Sequence, residues 1–569
     1  MEGTLALTPM SLTLLHGRKV CVYLSVGILI QSNLSGIGLG LDLLEKHIAR
    51  NAFHKSAQRA EAPRCHPETR QAIQEKIMEW VNKKPENFGL LVLWLYGPAG
   101  AGKSAIAQTI AELCEKLGLL AASFFFSRTT EGCNDSSRLV PTLVWQLIHL
   151  IPEIREAVLA SLERDSTILS HTPEAQMKAL IIDPLNNVSK EELLKHPRFV
   201  IIDGLDECLP TNSQIKERLP AKSQLDILKI VLDSLQQLNT PLYFLIASRP
   251  NREIQEKFTS FPLKFFTYPL SLEDDLQSTN DIRSFLTSSF NDMRRQNVYL
   301  PRSWPREADI TTLVEKASGQ FIYADTVIRY VQGHHGHEDR LKTVLSLRPS
   351  HTKDSPFTML DALLHQIFQS VRQDDLEKVM EVLGALIFIK SFPFQKLSHL
   401  EPFFDYRPRE LVSVLGDILS LVYVPENEDG SIKIYHASLP DFLQDRSRSK
   451  DFYLDPSATY VKLARRCTEG DRLRRFPSHE TISPYAYLSI YLECINRAIF
   501  TQQLGDLLLD FSIWTAPGDF QMIFDPVFGE ESMTLMSIIR QEVRIQSYIF
   551  LFKWLNLPVF SKPSIPHGP

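Results

Sequence analysis

The sequence predicts an α/β protein: a doubly wound parallel sheet, followed by a helical domain, a winged-helix domain and a mostly helical C-terminal region. Three observations carry this. Apolar runs at Leu90–Tyr96, Ala121–Phe126, Phe199–Ile202 and Leu242–Ala247 have the unbroken hydrophobicity of strands covered on both faces. Stretches of helical periodicity at Ala105–Leu117, Arg138–Leu150 and Leu225–Leu238 separate them, and strand alternating with helix is the order of a doubly wound sheet. Beyond residue 275 the strand signals fade, until the β-rich runs Ile418–Val424 and Ser431–Tyr435 flank an Asp-Gly turn within Asn427–Gly430.

Taken in order, residues 1–40 form an atypical, poorly ordered N-terminus. Cys21–Ile30 is apolar behind Arg18 and Lys19, but it is far shorter than the ~20 residues needed to span a bilayer. No A-x-A-like cleavage site follows at Ser32–Gly36. Residues 41–88 read as a helical lead-in, in which Ile73, Ile77, Trp80 and Val81 fall on one face of a helix behind Pro63 and Pro67. The sheet domain occupies 89–272, with Lys264–Leu270 as its fifth strand. Residues 273–350 are helical (Asp281–Phe290, Ile310–Lys316, Phe321–Val331), and Gly333–His337, Pro349 and Pro356 mark their end. Three helical stretches and the hairpin make 351–455 a winged helix. Residues 456–569 mix helices with proline-rich turns and show no internal repeat.

A chain of 569 residues has room for roughly three or four domains. Hydrophobic content of 44% and charged content of 22% are ordinary for a globular protein. The net charge of −6 provides no electrostatic footprint for nucleic acid or anionic lipid, so neither nucleic acid nor membrane is an expected partner. The 7 cysteines are scattered without a C-x-x-C pair, which argues for reduced thiols in a cytoplasmic protein and against a disulfide framework or zinc site.

Chemistry concentrates at the ends of three predicted strands. Gly97-Pro98-Ala99-Gly100-Ala101-Gly102-Lys103-Ser104 fits G-x-x-x-x-G-K-[ST], and Ala105 continues into a helix. In such a P-loop the glycines turn backbone N–H groups toward phosphates, and the helix N-terminus adds positive potential. Lys103 would reach the β- and γ-phosphates, and Ser104 would ligate Mg²⁺. Asp203 closes the apolar run Phe199–Ile202 and would hold the same ion. Asp206 or Glu207 could position the attacking water, or belong to a solvated acidic loop. At the end of the fourth run, Ser248 or Arg249 could sense the γ-phosphate, with Arg128 a further candidate.

Tyr96–Glu112, Phe199–Cys208 (FVIIDGLDEC) and Phe244–Asn251 (FLIASRPN) resemble NACHT-type STAND NTPases. The likeness is to the nephrocystin-like module of fungal members. His47–Arg70, Lys316–Val331 and Ile434–Asp445 (IYHASLPDFLQD) resemble the lead-in, helical and winged-helix regions of that group. The resemblance implies ATP/ADP and Mg²⁺ as cofactors. It assigns Gly97, Gly102, Lys103 and Ser104 to the phosphates, Asp203 to the metal, Asp206 and Glu207 to the acidic pair and Arg249 to the sensor. His436 would touch the β-phosphate of ADP in a closed state, or serve as a structural histidine. Thr69 and Arg70 would lie near the nucleotide. Family members usually carry an effector domain before this module and repeats after it; neither is seen here, so a minimal or truncated member is expected.

The expected function is a signal-transduction switch with slow ATP hydrolysis, in which nucleotide state controls packing of the winged helix and self-association or protein partners. A rapid remodelling ATPase uses the same P-loop and is the alternative. A nucleotide-stabilised scaffold or DNA-binding module, citing Arg446–Lys450 and Arg465–Arg475, is a third. The lack of an N/T-K-x-D motif favours ATP over GTP.

Overall fold

In the computed structural model five parallel strands form along the apolar runs: β1 Val92–Tyr96, β2 Leu120–Phe125, β3 Phe199–Asp203, β4 Tyr243–Ser248 and β5 Thr267–Ser271. The structure describes residues 40–60, 62–67, 69–83, 89–128, 130, 132–209, 221–272, 278–333, 336–348, 357–389, 395–427, 430–468, 490, 491, 493, 494, 497 and 498. The apolar run Cys21–Ile30, and nearly everything assigned to the C-terminal region beyond 468, lie outside these residues.

The strand order is β2-β3-β4-β1-β5. Every position of β2, β3 and β4 is buried, which is why their sequences are apolar without alternation. The order places β4 between β1 and β3. Polar groups at the C-terminal end of β4 therefore stand between the loop after β1 and the carboxylates after β3. Phe125 lies opposite Asp203 in the β2–β3 register, and Tyr96 lies opposite Ser248 in the β1–β4 register.

The fifth strand starts later than the sequence suggests. Leu263–Phe266 is a helical turn, held by the Thr267 hydroxyl donating to the Leu263 carbonyl at 2.9 Å. Between the helix Leu139–Leu150 and β3 lie Arg155–Arg164, Pro173–Met177, Asp183–Asn186 and Lys190–Leu193. Most of these segments are too short for a 3.6-residue period to register in the sequence. The lead-in helix Gln71–Asn82 buries the stripe read from its periodicity, Ile73, Ile77, Trp80 and Val81. Its Trp80 indole donates to the Leu90 carbonyl at 3.1 Å.

Residues Leu44 to Leu272 share one hydrophobic core. A second core runs from Ile282 through Ala498 and is continuous across the helices Phe321–Gln332, His337–Ser346, Thr358–Ser370 and Gln373–Phe388. The hairpin is much shorter than its two apolar runs, with β6 Val422–Tyr423 pairing β7 Lys433–Ile434 antiparallel. Gly416–Ile418 is a 3₁₀ turn that delays the first strand. Ser431 bridges instead to Lys396, and the Ile432 N–H donates to the Gln395 carbonyl at 2.8 Å. The helix Ser438–Leu443 follows directly. Among the described residues no helix is long and apolar enough to cross a membrane.

The two cores meet at the loop after β1. The Ile322 N–H donates to the Gly100 carbonyl at 3.2 Å. Gly100 has φ +77°, and a Cβ there would lie 2.1 Å from Ile322 Cγ2. Close approach and left-handed backbone both require glycine at this position. Gly100→Ala should therefore lower the thermal midpoint, with the strained backbone alone costing about 1–3 kcal/mol. Adding Ile322→Ala should restore part of the loss by removing the Cγ2 contact, while the Cβ of residue 322, 2.8 Å away, still crowds the new methyl. A Gly100→Ala midpoint equal to that of the wild type would contradict this seam.

Candidate functional site

The site is a cavity of about 370 Å³ above the C-terminal ends of the strands, walled by segments from both cores. Ala99, Gly100, Gly102, Lys103, Ser104 and Ala105 border it from the loop and the helix Lys103–Lys116. Gly102, at φ +90°, turns the chain into that helix, so unpaired N–H groups of the first turn lie beside the cavity. Gly97, Pro98 and Ala101 do not border it. The carbonyls of Gly97 and Pro98 each accept from Lys103 Nζ at 2.8 Å, and the Ala101 carbonyl accepts from Arg70 at 3.0 Å. Burial lowers the Lys103 pKa, against the opposing pull of Asp206.

Asp203 is the buried end of β3. The Ser104 hydroxyl hydrogen-bonds to its carboxylate, whose pKa is raised, chiefly by burial. Asp203 Oδ1 is buried and has no hydrogen-bond partner among the described residues. A desolvated carboxylate oxygen beside a serine hydroxyl is costly as it stands and suits a divalent cation. These two residues thus fit Mg²⁺.

The acidic pair divides. Asp206 is engaged on both oxygens by Arg249: Oδ1 accepts the backbone N–H at 2.9 Å, and Oδ2 lies 3.1 Å from Nε. Glu207 accepts the Arg128 backbone N–H at 3.2 Å. Its pKa is raised to about 7, first by burial and then by the negative charge of Asp206. Glu207 thus has an affinity for protons near neutrality.

Ser248 does not face the cavity. It is fully buried and accepts a 2.9 Å hydrogen bond from the Trp94 indole, which corrects its reading as a phosphate sensor; Arg249, the next residue, does border the cavity. Arg249 also reaches across to the second core, where Nη1 lies 2.6 Å from Asp441 Oδ2. Arg128 Nη1 binds the other oxygen of Asp441 at 3.1 Å, and Arg128 Nη2 donates to the Asp206 carbonyl at 3.2 Å. Sequence reasoning missed Asp441. It sits on the helix Ser438–Leu443, five positions after His436, and one aspartate on a short helix carries no local signature.

His436 borders the same cavity. Its Nδ1 accepts the Ser438 N–H at 3.0 Å and lies 2.8 Å from the Ser438 hydroxyl, so the neutral ring carries its proton on Nε2. Burial, then the positive charges of Arg249 and Lys103, lower its pKa to about 3. Thr69 and Arg70 also border the cavity. The Thr69 hydroxyl donates to the His66 carbonyl at 2.7 Å, and the Arg70 N–H donates to Asp281 at 3.0 Å. Arg59, from the lead-in, is a further cavity residue that no motif identified.

With this geometry in hand, residues 69–249 match the family model described as Nephrocystin 3, N-terminal. The matched span contains the Gly97–Ser104 loop, Asp203 and Arg249, and stops short of Asp441 and His436. No curated protein matches the chain. Two solved structures are similar at low scores. The Aeropyrum pernix ORC2 protein, in ADPNP-ADP complexes, has a TM-score of 0.30 at 12% identity, covering 64% of this chain and 90% of that one. Drosophila ORC bound to DNA has a TM-score of 0.24 at 11% identity, covering 77% of this chain and 95% of that one. Likeness at this level carries no functional argument.

The histidine gives a pH dependence with a definite sign. A folded pKa of about 3 against the ordinary histidine value of 6.5 means that the unfolded chain binds the extra proton between those values. Stability tied to neutral His436 is whole above pH 6.5 and is lost as pH falls toward 3. Thermal midpoints of the wild type should therefore fall more steeply over this window than those of His436→Gln. Parallel curves would show that acid acts elsewhere.

Proposed function

We propose that this chain is a nucleotide-controlled switch of the NACHT/STAND type, binding ATP or ADP with Mg²⁺ and hydrolysing ATP slowly. The observation that carries the proposal is Asp441 held between Arg128 and Arg249. Through it a segment of the second core grips the arginine best placed to meet a terminal phosphate. A ligand shifts a conformational equilibrium only through contacts that differ between the two states. A triphosphate competing with Asp441 for Arg249 provides such a difference; a diphosphate, held by the loop alone, leaves the contact in place.

Each residue has a part in this reading. Gly97–Ala105 wrap the phosphates, with Lys103 leaving the Gly97 and Pro98 carbonyls to reach them. Ser104 and Asp203 hold Mg²⁺, which when bound neutralises phosphate charge. Glu207 accepts a proton from the attacking water, while Asp206 fixes Arg249. His436 Nε2–H faces the cavity as a neutral donor toward the β-phosphate. We take residues 89–272 as the NTPase domain, 273–350 as the helical domain and 351–455, with its short β6–β7 wing, as the winged helix that docks or departs. Opening exposes surface for self-association or a protein partner.

The variant Asp441→Asn tests this directly. It keeps the shape of the side chain and removes the charge that two guanidinium groups share. Truncating one partner of charge-assisted hydrogen bonds costs about 1–3 kcal/mol, so release of bound ADP should quicken roughly 5- to 150-fold. Steady-state turnover of the wild type should be on the order of 10⁻² s⁻¹ or slower. ADP release indifferent to the substitution, or rapid wild-type turnover, would overturn the switch in favour of an ordinary ATPase.

A further inference from the structure

The lead-in brings an arginine into the cavity that the switch described above does not use. Residues Ala57–Arg59 form one 3₁₀ turn. Just before it, both the backbone N–H and Nδ1 of His54 meet the Ser123 hydroxyl on β2, at 3.1 and 2.9 Å. Gln108, from the helix Lys103–Lys116, donates to the His54 carbonyl at 2.8 Å and accepts from Arg59 Nε at 3.0 Å. The guanidinium carbon lies 3.8 Å above the centre of the Phe125 ring. One edge and one face of the group are thus fixed.

That fixed position is the floor of the phosphate site. Phe125 is the strand partner of Asp203. Gln108 is one helical turn beyond Ser104 and on the same side of its helix. Arg59 also feels the charges of Asp203 and Glu207, although burial holds its pKa below the usual value. Other arginines bordering the cavity are engaged: Arg64 with Glu112, Arg70 with the Ala101 carbonyl, Arg128 and Arg249 with Asp441, and Arg329 with Asp325. The terminal nitrogens of Arg59 have neither an ion pair nor a hydrogen bond among the described residues. A guanidinium anchored at Nε and on one face presents its remaining donors in a planar fork that matches phosphate oxygens.

We propose that Arg59 contacts the terminal phosphate of a bound nucleoside triphosphate, so that the segment ahead of the P-loop distinguishes triphosphate from diphosphate. The proposal rests on the nucleotide-binding reading above. Arg59 is not held by Asp441, so it can meet the terminal phosphate before the second core lets go of Arg249.

Calorimetric titration of the full chain with ADP and with a non-hydrolysable β,γ-imido ATP analogue, each with Mg²⁺, tests this. In Arg59→Ala the affinity for the analogue should fall roughly 10- to 100-fold, as expected for a lost charge-assisted contact, with ADP affinity nearly unchanged. Arg59→Lys, which retains the charge without the fork, guards against misfolding and should recover only part of the loss. Equal losses for both nucleotides would make Arg59 a structural residue, and unchanged analogue affinity in both variants would also overturn the proposal. A wild-type chain that binds neither nucleotide would instead sink the nucleotide reading, and this proposal with it.

Discussion

The arrangement of this molecule turns on one carboxylate, that of Asp441, held between guanidinium groups contributed by two different strand ends. Arg128 follows β2 and Arg249 follows β4, with the buried acids Asp203 and Asp206 and the half-buried Glu207 around them. Opposite charges crowded into a poorly solvated space interact strongly, and any unpaired one is costly. Asp441 balances two of these cations. It ties a segment of the second core to both strand ends. In the proposed switch this makes domain docking and ligand recognition compete for the same arginine.

A second seam constrains the same loop from the other side. Ile322, at the start of the helix Phe321–Gln332, hydrogen-bonds to Gly100 and packs where a Cβ would be. The Gly97–Ser104 loop is thus touched by the second core directly. The lead-in completes the enclosure, since His54 and Arg59 fasten it to β2 and to the helix that begins at Lys103.

Much of this was legible in the sequence, for identifiable reasons. The central strands are covered on both faces, so their residues form uninterrupted apolar runs. The loop Gly97–Ser104 is local, its chemistry dictated by consecutive residues, and Ile73, Ile77, Trp80 and Val81 declared their buried face by spacing alone. What stayed hidden depends on partners distant in the chain. Asp441 has meaning only beside Arg128 and Arg249, and Arg59 only over Phe125 and against Gln108. Ser248 was misread because a polar residue ending a strand looks like a ligand contact until the Trp94 indole is seen to claim it. The hairpin runs looked longer than β6 and β7 because Ile418 and Ser431 are drawn into other contacts.

Hydrogen exchange of the backbone amides of Ser438–Leu443, compared between the ADP-bound and β,γ-imido ATP-bound protein, tests the central claim most directly. In the proposed switch these amides are strongly protected with ADP and clearly lose protection with the triphosphate analogue, as Arg249 leaves Asp441 for the terminal phosphate. Equal protection in the two states, with both nucleotides shown to be bound, would contradict it and leave the Asp441 contact a fixed part of the fold.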